Sequence, residues 1–394
     1  MQTDSADNFF QTDREIEIAS AREAKKNAVR AANTRALSIA TMRSKVLCLR
    51  FFGNVAFVGE SGHVARRVEP SSGKVLLTFK GHKGPVTCLE LMFDQRTGED
   101  QFLFTGSWDK SIFKFDSKNG DLLQKFTGHA DFIKCITLVP TVVNSKLAYH
   151  LLSGSSDGTI KKWDSDSGKL HQTWKGHTRP VESLVLAESE DGTAKNLQVY
   201  SASSDTTIRK WDVATGNVSQ VLNGHLTSVY GIILTDGELW SVSADKTAKR
   251  WNLENSIPDS SFEHPDFVKC IHVYGSYVLT GCRDENIRVF DLTTEKCINV
   301  VEGHFGEVTS LQVVGDRLWS ASLDCTIRSW NLADILMQRP ATVEVQDLST
   351  SMEVDADVSA ATAAETSGTK KADATEMALT EEEERELAEL MGDD

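Results

Sequence analysis

The chain has 394 residues, a quarter of them charged, and a formal net charge of −15 at pH 7. The charge is uneven: residues 341–394 hold 16 acidic against 3 basic residues, net −13, which leaves −2 for residues 1–340. A near-neutral body argues against non-specific nucleic-acid binding, which needs a basic footprint, and no apolar run approaches a membrane span. The first twenty residues lack the basic-then-apolar pattern of a signal peptide. Seven cysteines, an odd number in a large chain, fit a reducing compartment. The expectation is an intracellular protein of cytoplasm or nucleus, without nucleic acid or membrane insertion.

Residues 1–34 read as an arm. Within it DREIEIASAREAKKNAVRAAN (Asp13–Asn33) is Ala-rich and charged. It predicts a helix with a thin apolar face of Ile16, Ile18, Ala24, Ala28 and Val29, suited to dock on the body or to pair as a coiled coil. Beyond the arm one segment recurs: TGSWDKSIFKFD, SGSSDGTIKKWD, SASSDTTIRKWD, SVSADKTAKRWN, TGCRDENIRVFD and SASLDCTIRSWN. Its closing mark falls at Phe115-Asp116, Trp163-Asp164, Trp211-Asp212, Trp251-Asn252, Phe290-Asp291 and Trp330-Asn331, with an eroded copy at Val68-Glu69. Successive spacings are 47, 48, 48, 40, 39 and 40. That period, with Trp-Asp at its end, signals propeller blades, and seven marks mean seven blades. A second mark, Gly-His, stands at Gly81-His82, Gly128-His129, Gly176-His177, Gly224-His225 and Gly303-His304, with Glu263-His264 as a variant.

The two marks in fixed register closely resemble the WD-repeat family over Arg35 to Leu332, and ADKTAKRW, EHPDFVKC and GHFGEVTS resemble uncharacterised fungal WD-repeat proteins. The resemblance implies an all-β, seven-bladed propeller of four-stranded blades. An acid precedes each aromatic mark by six residues (Asp109, Asp157, Asp205, Asp245, Asp284, Asp324), and a hydroxyl lies four residues before each acid (Thr105, Ser153, Ser201, Ser241, Thr280, Ser320). In the family the His of the d–a loop bonds the Asp of the b–c turn, and the hydroxyl and the Trp indole extend the chain. The expected pairs are His82–Asp109, His129–Asp157, His177–Asp205, His225–Asp245, His264–Asp284 and His304–Asp324. This composition matches a hydrolase triad, but a catalytic site does not need six copies. A structural network is expected and no enzyme activity. Blade 1 holds Met42, Val58, Gly62 and Val68 at the same positions, so it should lack a network and be the softest blade.

Blade 7 ends at strand c and lacks strand d. Sliding the register back places that strand at about Arg35–Thr41, so the N-terminus should close the ring. The His-to-Asp distance is 27 or 28 in blades 2–4 and 20 in blades 5–7. The short blades use tight turns at Asp236-Gly237, Gly275-Ser276 and Gly315-Asp316. The long ones carry the inserts MFDQRTGED, PTVVNSKL and AESEDGTAKN, which would form a lip on the bottom face. On the top face the candidate partner-binding residues are Trp108, Phe132, Lys134, Arg179, Glu182, Tyr230, Phe267, Lys269 and Arg283, because Trp, Tyr and Arg dominate interface energetics. The Trp108–Phe132 pair is the favoured patch.

Cys48, Cys88, Cys135 and Cys270 share one strand-a position that Ser183, Gly231 and Ser310 fill elsewhere, a slot for small residues. No Cys-x-x-Cys spacing or phosphate-binding glycine loop exists, so neither metal nor cofactor is expected. Residues 333–378 read as a disordered acidic linker. Residues 379–394 end in LTEEEERELAELMGDD, a short acidic helix whose face of Leu387, Leu390 and Met391 is a candidate contact. The leading function is a non-enzymatic interaction scaffold, a monomeric ring that assembles other proteins through face loops and tail. A substrate receptor of a ubiquitin ligase is an alternative, but the arm is too short for an F-box and no Arg stands two residues after a Trp-Asp mark. A G-protein β-like subunit is another, suggested by a helix ahead of seven blades.

Overall fold

The computed structural model describes residues 36–93, 100–143, 146–187 and 197–337. These form seven four-stranded antiparallel sheets. Each is a blade of strands a to d in chain order, and strand a of every blade packs on strand a of the next, including blade 7 on blade 1. The ring is therefore closed. Blade 7 takes strands a to c from Val308–Val314, Arg317–Ser322 and Thr326–Asn331, and its strand d from Ser38–Thr41. The closing strand pairs Ser38 with Ser329 and Thr41 with Thr326. The Ser38 and Ser329 hydroxyls add a 2.7 Å bond across the junction.

Each sheet is apolar on both faces and has no core of its own. The buried apolar residues fall into seven clusters, each in the seam between two adjacent blades. The blade 7–1 seam, for example, joins Trp319, Ala321 and Ile327 to Val46, Leu49 and Val58. The blade 4–5 seam joins Tyr200 and Ile208 to Leu239 and Trp251. Burying a large apolar side chain contributes about 1.5–3 kcal/mol, and here every such gain needs the neighbouring blade in place.

A second device locks four seams on the bottom face, where the c–d turns of blades 2 to 5 lean on the blade before them. Arg67 donates to the Ser117 carbonyl, Lys114 to Ser165, Lys162 to Val213 and Gln220 to Leu253. All four acceptors stand two residues after an aromatic mark. Blade 7 has no c–d turn, because its strand d arrives from the other end of the chain. The residues after strand c instead form helix α1 (Leu332–Met337). Its Ile335 carbonyl accepts from Asn299 Nδ2 at 2.7 Å, and Leu332 and Ile335 fill the blade 6–7 seam. The helix corrects the expectation of a linker from residue 333.

The blade 3 insert also differs from expectation. PTVVNSKL is a continuation of the hairpin, since strand a runs Ile133–Val143 and strand b Lys146–Ser155. The tight blade 5 turn is as expected, with Asp236 at φ 50° and Gly237 at φ 79°, as a type I′ hairpin requires. Cys48, Cys135 and Cys270 direct their thiols at the carbonyls of Val86, Val181 and Val308 in the following blade, 3.3–3.7 Å away. Burial pushes Cys48 up to about 12, so this thiol is an inert packing group. The N-terminal helix, Asp13–Asn33, and the acidic segment with Leu387, Leu390 and Met391 lie outside the described residues.

Deleting residues 1–43 exposes the edge of blade 7 strand c, and a bare edge invites intermolecular pairing. Size-exclusion chromatography and thermal melting are expected to show association and a fall in Tm of several degrees. A monodisperse deletion variant with unchanged Tm would contradict the closure mechanism.

Candidate functional site

The repeated polar set is assembled by geometry that recurs in blades 2, 3, 4, 5 and 7. The His Nδ1 donates to the Asp Oδ2 at 2.7–2.9 Å. The His Nε2 meets the Thr or Ser hydroxyl at 2.7–2.8 Å. In blades 3, 4, 5 and 7 the Trp indole N–H donates to the same hydroxyl at 2.7–2.9 Å. The residue after each His gives its backbone N–H to the Asp Oδ2, as Lys83, Ala130, Thr178, Leu226 and Phe305 do. Thr159, Thr207, Thr247 and Thr326 give the Asp Oδ1 a hydroxyl bond at 2.6 Å, and Ser111 bonds Asp109 in the same way.

The electrostatics follow. Burial by itself would raise Asp109, Asp157, Asp205, Asp245 and Asp324, but the His and hydroxyl bonds, with the backbone N–H, hold them well below the usual carboxylate range. Burial pushes His177 and His304 below their ordinary value, so they are neutral at pH 7. A neutral ring that donates from Nδ1 must accept at Nε2, so the serine hydroxyl is the donor there. The serine then spends its proton on His and its lone pair on Trp. Ser153, Ser201, Ser241 and Ser320 are fully buried, so none presents a hydroxyl to a substrate.

Blade 6 departs from the expected pair. His264 and Asp284 are not bonded: His264 Nδ1 donates to the Phe262 carbonyl at 3.1 Å and keeps its Thr280 contact at 2.8 Å. Asp284 is taken by a two-pronged pair with Arg288. The cause is legible at Pro265, which follows His264 and has no N–H to hold the Asp. Burial, then the nearby Arg288, pushes His264 down to about 4. Blade 1 also corrects an expectation, for it is not devoid of polar pairing. Fully buried Glu60 accepts from Ser44 Oγ at 2.8 Å and pairs with Arg66.

The top face, where b–c turns and d–a loops meet, is organised by a feature the sequence did not announce. In all seven blades strand a carries a β-bulge at its second residue, seen as a register shift between Val46 and Cys48, Val86 and Cys88, Ile133 and Cys135, and so on around the ring. A bulge re-aims a side chain. The bulged residues are Leu47, Thr87, Lys134, Glu182, Tyr230, Lys269 and Thr309, one per blade. Four of them are candidates from sequence, and Leu47, Thr87 and Thr309 are additions. Blades 3 to 7 hold the charged side. Lys134 pairs with Glu182 at 3.5 Å, which accepts from Ser204 Oγ at 3.0 Å. Lys269 pairs with Glu307 at 3.7 Å and stands 3.7 Å over the Tyr230 ring. Blades 7 and 2 contribute uncharged Thr309 and Thr87, whose hydroxyls donate to Val46 and Ile133 carbonyls.

Trp108 and Phe132 do come together, with ring centroids 5.1 Å apart and planes 18° from parallel. Trp108 is 7 % exposed, however, and Phe132 is half-buried, so Phe132 is the more accessible member. Arg283 lies 5.1 Å over the Phe267 ring, and Arg179 is half-buried, its carbonyl accepting from Ser203 Oγ.

Comparison with known proteins gives the same unit. The WD domain, G-beta repeat, matches residues 73–116, 120–164, 168–212, 258–291 and 295–331. The chain belongs to the WD-repeat family. It is similar to an uncharacterised WD repeat-containing protein of Schizosaccharomyces pombe, 30 % identical over 282 residues, which cover 70 % of this chain and 74 % of that protein. Shorter likenesses include the nuclear distribution protein PAC1 of Zygosaccharomyces rouxii, 29 % identical over 93 residues, 23 % of this chain and 21 % of that one. Another is a p21-activated protein kinase-interacting protein 1-like of Danio rerio, 31 % identical over 96 residues, 23 % and 26 % of the two chains. WD-repeat propellers generally act as non-enzymatic scaffolds that bind other proteins. No helix among the described residues is long and apolar enough to cross a membrane.

Asp157→Asn removes a charge-assisted bond and is expected to cost about 1.5–3 kcal/mol, read as a lower urea midpoint. The pH dependence has two windows. The five low carboxyls contribute fully above their unfolded value of about 3.9 and lose that contribution as the pH falls through it toward their folded values. His264 is protonated in the unfolded chain first, so its share is present above about 6.5 and is lost as the pH falls to about 4. His264→Gln should flatten the urea midpoint between those two values. An unchanged slope there would contradict a neutral, buried His264.

Proposed function

We propose that the protein is a non-enzymatic scaffold that gathers other proteins on the top face of its ring, around the mouth bounded by the seven bulged residues. The observation that supports it most is the bulge itself. It occupies the same strand position in every blade, while the residue it carries changes from Lys to Glu to Tyr to Thr. A constant backbone device with variable side chains is what a recognition surface on a rigid frame requires. The contacts between Lys134 and Glu182 and between Lys269, Tyr230 and Glu307 fix those side chains before a partner arrives, which lowers the ordering entropy of binding. Phe132, backed by buried Trp108, supplies an apolar anchor beside them. The acidic segment 341–394, with Leu387, Leu390 and Met391, serves as a second contact, and two linked contacts raise effective concentration. The Danio rerio relative is named as a protein that interacts with a protein kinase, in keeping with a binding role.

Affinity capture from native lysate tests this. The full chain is compared with a Phe132→Ala/Lys134→Glu double variant and with a 1–340 truncation, each checked for Tm. The double variant is expected to lose captured proteins at least tenfold with Tm within a few degrees. Capture unchanged in the double variant would remove the top face as the recognition surface, and capture unchanged in the truncation would remove the acidic segment.

A further inference from the structure

Arg67, Lys114 and Lys162 each stand one residue before the aromatic mark and reach the c–d turn of the next blade, so the blade 2–3 and 3–4 seams can be laid over each other residue by residue. In the 2–3 seam three partners stand closest to Lys114 Nζ, with the Phe104 ring farther off at 5.6 Å. The amine donates to the Ser165 carbonyl at 3.2 Å and to the Asp166 carboxylate at 2.7 Å, and it sits 4.1 Å over the Phe102 ring. In the 3–4 seam the equivalent cation is Lys162, and it too donates to the turn carbonyl, that of Val213, at 3.0 Å. Among the described residues the other two have no counterpart. Ala214 stands 48 residues after Asp166, at the same place in the turn. His150 stands where Phe102 does, each paired across strands with the Asp of its aromatic mark. What remains is a cavity of about 90 Å³. Lys162, His150 and Thr141 are its polar wall, and Val139, Leu197 and Val213 its apolar floor.

We propose that this cavity is a carboxylate site that receives an Asp or Glu side chain of a partner protein, which takes the place beside Lys162 that Asp166 takes beside Lys114. The molecule supplies the template. Asp166 reaches its lysine from the solvent side, with its side chain 75 % exposed, so the same approach is open to a residue from another chain. Among the described residues the nearby acids Asp212 and Asp164 are engaged elsewhere. Asp212 accepts from the Thr215 hydroxyl and backbone N–H, both at 2.7 Å. Asp164 accepts from Ser167 in its own turn and lies 4.0 Å from His171. Burial, then the proximity of Lys162 and His171, pushes His150 down to about 4. At pH 7 it is therefore a neutral ring with an N–H to donate. Burial also lowers Lys162, against the pull of Asp212. Pro140 and Thr141 of blade 3 strand a stand at the cavity's rim. The site is on the opposite face from the bulged ring and stands or falls without it.

The test uses the full chain at pH 7 and constant ionic strength, labelled with ¹³C at histidine Cε1, with His150 assigned by His150→Gln. Three probes are titrated: sodium acetate against sodium chloride, the capped peptide acetyl-Gly-Glu-Gly-amide, and its Gln counterpart. The expected result is a saturable shift of the His150 resonance with the Glu peptide at a concentration at least tenfold below acetate, and none with the Gln peptide. Lys162→Met should weaken the response at least tenfold. Ala214→Asp, at an exposed turn, should abolish it by placing a carboxylate in the cavity from within, and it keeps the test decisive if Lys162→Met does not fold. A His150 resonance that answers the carboxylates no more than chloride overturns the proposal. So does a response that survives Ala214→Asp. Acetate saturating as tightly as the Glu peptide would make the ligand a free carboxylate and overturn the assignment to a partner side chain.

Discussion

A four-stranded sheet with two apolar faces cannot stand alone, and the whole molecule follows from that constraint. Each blade contributes half of two cores and owns none. Burial is complete only when the last blade meets the first, so closure by Ser38–Thr41 is the condition on which the seams depend. Helix α1 answers the same need at the other end of the chain, covering the place where a c–d turn stands in the other blades.

The His, Asp, Ser and Trp set is subordinate to that packing. Each network ties the b–c turn of one blade to the d–a loop that leads into it and ends on a fully buried hydroxyl. Buried polar groups that are all satisfied rigidify a structure, and half-satisfied ones weaken it. Blades 1 and 6 show how the requirement is met when the usual residues are absent. Glu60 finds Ser44 and Arg66, and Asp284 finds Arg288. The resulting frame is rigid where it must be and leaves its variation on two surfaces, the bulged mouth above and the latched seams below.

Much of this was legible in the sequence. The seven-blade count, the strand supplied by the N-terminus and five of the six His–Asp pairs follow from the spacing of Trp-Asp and Gly-His, because each mark is tied to a fixed backbone position. The miss at His264 had a visible cause in Pro265, whose lost N–H matters only once the Asp is known to need it. The exposure of Trp108 was misjudged because burial depends on Phe132 in the next blade, a contact between residues of two different repeats. The bulged ring left no signal, since a bulge changes the register of pairing and not the residue type. The Lys162 cavity was equally silent. Ala214 and His150 look like ordinary drift until they are set beside Asp166 and Phe102 across the repeat.

Native-state hydrogen exchange read by mass spectrometry, on the full chain, tests the central dependence most directly. If closure underwrites every seam, peptides covering residues 36–43 and 326–331 should be protected as strongly as the inner strands of blades 3 and 4. All of them should open together as denaturant rises. Exchange of residues 36–43 at the rate of an unfolded chain, while blades 3 and 4 stay protected, would contradict it and show that the ring holds without its last strand.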